Sequence, residues 1–285
     1  MKARAISTIL ITLLFAASKS VYAQKCPVKV GDVAQYFDAE AVYNEFMSFN
    51  PAKSEYETAL EYQNRIEGII TREELNTPHL LRVKSYPEFL TYMAEQSEFI
   101  IQRYAWDNTR APWNDVFGTH GVYDGELLDK NPWGIDVGIE DFVHGMGLFQ
   151  VKRGEEVYMA HNAADLSVEM IDVEWDVYSV FDKIMDSYGD EIWKCETYSG
   201  RYDDICSVRL SMPRELAPAF KEGLNAGIMV TPKAPLAATG TNREMRTFGR
   251  VRNFITNYKV IIADIHCAVL SGPDGKIVKT IDSAL

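Results

Sequence analysis

The sequence predicts an α+β protein: an N-terminal helical region packed on a mainly antiparallel sheet that carries one further helix. Two observations lead there. Apolar residues recur at spacings of three and four as far as about Trp106 and at a spacing of two after Gly134. Few helical stretches then separate the strands, which leaves little room for parallel crossovers. With 47% hydrophobic and 25% charged residues, the chain can bury a large core.

Residues 1–23 read as a secretory leader. Lys2 and Arg4 supply a positive start, Ala5 to Ala17 an apolar stretch too short to remain as a membrane span, and Val21 and Ala23 the small residues of a cleavage site before Gln24. No lipobox precedes Cys26. No other stretch approaches the roughly 18 apolar residues that a spanning helix needs, so no integral membrane segment is expected after cleavage. The predicted location is periplasmic or secreted.

The remainder divides into a helical region (24–106), a loop or linker (107–134) and an α+β sheet domain (135–285). Three helices are expected between about Asp32 and Trp106. Asn50-Pro51 separates the first two, Ser54 with Glu57 forms a capping box for the second, and Ser85 with Glu88 does so for a third carrying Phe89, Leu90, Met93, Ile100 and Tyr104. The loop has no period but holds Trp113, Phe117, Tyr123 and Trp133. That makes it either a packed surface loop or a site-forming one.

In the third region, Leu148–Val151 and Val157–Ala160 read as a hairpin turning at Lys152-Arg153-Gly154-Glu155. The longest strand is Val168–Phe181, with Ile171, Val173, Trp175 and Val177 on one side, Asp172, Glu174 and Asp176 on the other, and a bulge near Met170 or Ile171. A helix from Pro213 to about Leu224 starts at Ser211. The alternating run Tyr258–Leu270 turns at Gly272-Pro273-Asp274-Gly275 into a closing strand, Lys276–Ile281.

Four cysteines in an exported chain suggest two disulfides. A two-residue turn at Gly200-Arg201 puts Cys195 directly opposite Cys206, leaving Cys26 to pair with Cys267. No C-x-x-C spacing supports a metal site.

Tyr56-Glu57-Thr58-Ala59-Leu60-Glu61-Tyr62-Gln63-Asn64-Arg65 resembles the helix that opens many uncharacterised exported bacterial proteins. The strand ending His161-Asn162-Ala163 and the Pro213–Leu224 helix with its following strand are similar to other segments of them, although Ala164-Asp165 stands where an aromatic and a glycine belong. The resemblance covers about a fifth of the chain. It implies export and α+β architecture, and no activity.

The leader holds three of the 29 basic residues (Lys2, Arg4, Lys19) and none of the 41 acidic ones, so its removal takes the formal charge from −12 to about −15. Such a charge argues against nucleic acid and against anionic lipid. Patterns for a nucleophilic elbow, a phosphate loop, a dinucleotide site or a zinc protease are absent, and no cofactor or metal is assigned. Two histidine groupings remain as catalytic candidates. Asp264 and His266 share a strand face, and Asp141 lies close to His144 in sequence beside Gly145 and Gly147. The stripe Asp172, Glu174, Asp176 has the oxygen ligands calcium favours, or is simply solvated.

The leading functional expectation is a non-catalytic envelope protein that binds another envelope component or a small ligand through Trp113, Phe117, Tyr123 and Trp133. The alternative is a hydrolase or metal-dependent enzyme using His144 or His266 with nearby carboxylates.

Overall fold

The computed structural model describes residues 25–49, 53–72, 75–107, 123–124, 142–161, 166–185, 193, 195–199, 204–248 and 250–283. The expected leader and Asn50-Pro51 lie outside them.

The elements run β1 (Tyr36–Phe37), α1 (Ala39–Ser48), α2 (Ala59–Ile70), β2 (His79–Val83), β3 (Leu90–Met93), β4 (Glu98–Gln102), β5 (Tyr123–Asp124), β6 (Phe142–His161), β7 (Ser167–Met185), β8 (Glu196–Ser199), β9 (Asp204–Ser211), α3 (Ala217–Gly223), β10 (Asn225–Phe248), β11 (Arg250–Ser271) and β12 (Ile277–Asp282). This corrects the expected fold class. The protein is predominantly β, with a curled mixed sheet and three α-helices among the described residues, rather than a helical region on an antiparallel sheet.

The first two helices form as expected, the second with a shifted cap. Asp38 accepts from the Ala41 N–H at 2.9 Å to start α1. The capping box of α2 is Thr58 with Glu61; ahead of it, Glu57 accepts from the Ser54 N–H at 3.2 Å but also from Arg65 at 2.8 and 3.0 Å. The third expected helix does not exist. Pro87–Phe89 makes one 3₁₀ turn, and β3 and β4 follow as a hairpin whose second strand pairs β9. Phe99 and Ile101 alternate inward, and burial in a sheet overrides the three-and-four spacing that Phe89, Leu90 and Met93 share with a helix.

The large sheet has the order β1-β2-β10-β11-β7-β6-β5, with β12 also on β11; β3-β4-β9-β8 form a second sheet. The pair β11–β7 is parallel, which makes the large sheet mixed. At one end the curl nearly closes, because Lys84, just past β2, donates its backbone N–H to the Leu148 carbonyl of β6 at 2.9 Å. Inside lie Tyr43, Phe46 and Ile66 from the helices, Tyr178, Ile261 and Leu148 from the large sheet, and Ile101 from the small one, in a single core.

The expected turn at Lys152–Glu155 is not a turn. β6 runs straight through it with a register shift between Lys152 and Gly154, and the bulge expected near Met170 or Ile171 does not form, since both residues pair regularly with β6 and β11. Pairing of β7 with β11 is unbroken from Met170 to Phe181. Alternation in β11 does break. Met229 pairs Cys267 while Val230 pairs Ile265, so His266 is an extra residue that changes which side faces the core. Ala263 and Ile265 face the core before the bulge and Ala268 and Leu270 after it, while Cys267 and Val269 turn to the opposite side. There Cys267 meets the N-terminal segment and forms a disulfide with Cys26.

Cys195 and Cys206 are joined as expected, with Cα atoms 5.6 Å apart. The register differs from the sequence argument, since Thr197 pairs Cys206 and Ser199 pairs Asp204, so the loop is four residues long and the bridge runs diagonally. Residues 200–203 lie outside the described ones. The Pro213–Leu224 helix shortens to α3, and the Gly272–Gly275 turn into β12 forms as expected, with Gly275 at φ +78°.

Candidate functional site

The expected pair Asp264 and His266 lies where β11 changes partners. β10 borders it along one side throughout. On the other, β7 pairs up to Ile262 and β12 takes over from Cys267, leaving residues 263–266 without a strand among the described residues. Unpaired backbone groups in a buried strand are costly, and side chains and chain ends fill the gap. The Asp182 carboxylate at the end of β7 accepts from the Ile265 N–H at 2.9 Å, and Ser283 donates its N–H to the His266 carbonyl at 2.9 Å.

Around this gap the side chains form one polar cluster. Lys233 lies beside the β10 irregularity between Pro232 and Ala237 and donates to Asp182 and to Asp264, each at 2.7 Å. His266 is buried, and its Nε2 lies 2.7 Å from Thr231 Oγ1. Burial holds the imidazole below its ordinary value of 6.5, against the opposing pull of the Asp264 and Asp182 charges. No hydrogen bond joins Asp264 to His266. The bulge that buries the imidazole separates the relay that two-residue spacing suggests. Chemically, the arrangement is an ion cluster closing a gap in the sheet, with a neutral histidine beneath it.

The acidic stripe is held by protein donors. Tyr158 donates to Asp172 at 3.1 Å, Asn257 to Glu174 at 2.8 Å, and Arg153 to Asp176 at 2.8 Å. Arg153 also reaches Glu40 of α1 at 2.6 Å and the Tyr178 hydroxyl at 3.1 Å. Burial and the Glu40 carboxylate push the Tyr178 phenol up to about 12. Among the described residues, no three His, Cys, Asp or Glu side chains are grouped so as to hold a metal.

The other sequence candidates disperse or fall outside view. His144 contributes backbone to β6, but its side chain and Asp141 lie outside the described residues, as do Trp113, Phe117 and Trp133. Tyr123 is in β5 and pairs Val143. Buried His79 bonds the Thr77 carbonyl at 2.7 Å and packs on Phe37.

Sequence reasoning missed the far end of the long strands. β7 and β11 run parallel with Met170 beside Val251, so the turns of the β6–β7 and β10–β11 hairpins lie at the same end of the sheet. Exposed there are Val157 (57%), Met159 (61%), Leu166 (63%) and Met245 (62%), with Tyr158 (37%) exposed on the other face of β6. The legible signal is Val157-Tyr158-Met159, three successive apolar residues in the strand expected over Val157–Ala160, where alternation would place a polar one.

The chain matches no protein-family model, no curated protein and no solved structure.

Proposed function

We propose that this is an exported protein of the bacterial envelope that binds another envelope component or a small ligand without catalysing a reaction, and that the hairpin end of its sheet is the binding surface. The leader-like N-terminus and two disulfides support export. Among the described residues no helix is long and apolar enough to cross a membrane.

The observation that carries the binding reading is the exposed run Val157-Tyr158-Met159 on an edge strand. Monomers rarely leave such apolar surface open, and an edge offers main-chain hydrogen bonds as well. The aromatic segment 107–134 meets the opposite end of the same edge strand, where Tyr123 pairs Val143.

Photo-crosslinking in cells tests it. A photoreactive residue at Met159 should give a discrete adduct, while one at Leu60, equally exposed on α2, should not. Adducts at both sites or at neither would reject the hairpin end as the binding surface.

A further inference from the structure

The two edges of the long-strand sheet are complementary to one another. Among the described residues, no strand lies outside β10 over residues 241–247 or outside β6 over residues 152–160. β10 is antiparallel to β11, β11 parallel to β7, and β7 antiparallel to β6, so β6 and β10 run in the same direction. Cross-strand rows also put four of their residues on one face: Glu156 continues through Asp172 and Asn253 to Met245, Tyr158 shares the face of Glu156, and Arg243 that of Met245.

All four are exposed. Neither Glu156 nor Arg243 makes a hydrogen bond or ion pair among the described residues, unlike neighbouring Arg153 and Glu155. Because the strands are parallel, a copy added at the edge can meet both pairs together, Glu156 on Arg243 and, two residues along, Tyr158 on Met245. One is opposite in charge and the other is apolar.

We propose that a second copy of this chain docks on the first by parallel edge pairing, β6 of one copy against β10 of the next, with Glu156–Arg243 and Tyr158–Met245 as cross-strand pairs. The inference rests on the binding reading above and names one partner for it. The contact joins different surfaces, so it leaves an open edge at each end and builds rings or open chains rather than a closed two-fold dimer.

Sedimentation velocity of the mature protein from micromolar to submillimolar concentration tests this, with circular dichroism confirming the fold of each variant. The wild type should show species beyond the monomer that grow with concentration. Arg243→Glu and Glu156→Arg alone should each weaken association on the order of tenfold or more by opposing like charges. The double swap should restore it. A wild type that stays monomeric throughout, or a double swap no better than the singles, overturns the proposal. A monomer that still crosslinks from Met159 to a different molecule overturns self-pairing and leaves the binding reading standing.

Discussion

The Asp182 carboxylate stands in for a missing strand at Ile265: one oxygen accepts the Ile265 N–H at 2.9 Å and the other holds Lys233 at 2.7 Å. Asp182→Ala leaves a buried N–H unpaired and removes one of the two carboxylates holding Lys233, at a cost of about 2–4 kcal/mol. Asp264 holds the same lysine with a side chain 56% exposed, and Asp264→Ala should cost about 0–1 kcal/mol. Urea unfolding of both variants checks the contrast; equal losses would show that Asp182 acts only as a surface ion-pair partner.

His266 sets a pH dependence. The folded protein keeps it neutral and buried, below its ordinary 6.5, whereas the unfolded chain protonates it near that value. The unfolded state therefore binds more protons as pH falls, so this contribution is complete above about pH 6.5 and declines below it. His266→Gln should flatten the difference in urea midpoint between pH 7.5 and pH 5.5 relative to wild type. An unchanged difference would place the titration elsewhere.

Gly227 is required by packing. A Cβ there would lie 2.7 Å from the Leu81 carbonyl oxygen and 2.7 Å from the Tyr36 ring, whose hydroxyl lies 2.8 Å from that of Ser271. Gly227→Ala should destabilise by about 1–3 kcal/mol. Gly154→Ala, where nothing lies within 4 Å, should change stability by less than about 0.5 kcal/mol. Thermal unfolding of the two separates packing from a general glycine effect.

Much of this architecture was readable where one level of structure decides the outcome. Amphipathic spacing places α1 and α2, although the capping box of α2 lies four residues beyond the expected one, and the Gly-Pro-Asp-Gly turn places β12. Both disulfides were also expected, although Cys195–Cys206 arose from a two-residue loop that the chain does not use. What was not readable depends on distant residues. Phe89 to Ile101 satisfies a helical spacing, and only pairing with β9 shows that it is a hairpin. The bulge at His266 is set by where β7 leaves β11 and β12 arrives, so local alternation put Asp264 and His266 in a relay that tertiary geometry prevents.

The Cys26–Cys267 bridge, spanning 241 residues, ties the N-terminal segment to the outer side of β11. Replacing both cysteines by Ser should lower stability by about 2–5 kcal/mol. Non-reducing peptide mapping should recover Cys26 with Cys267 and Cys195 with Cys206; any other pairing contradicts the β11 face change at His266.

The proposed binding surface requires the hairpin end to be open and not part of the core. The most direct measurement combines crosslinking from Tyr158 with thermal unfolding of Val157→Glu/Met159→Glu. Because both side chains are more than half exposed, the double variant should unfold within about 0.5 kcal/mol of wild type while losing the adduct. A large loss of stability would place Val157 and Met159 in the core, and an adduct that survives both substitutions would place binding elsewhere.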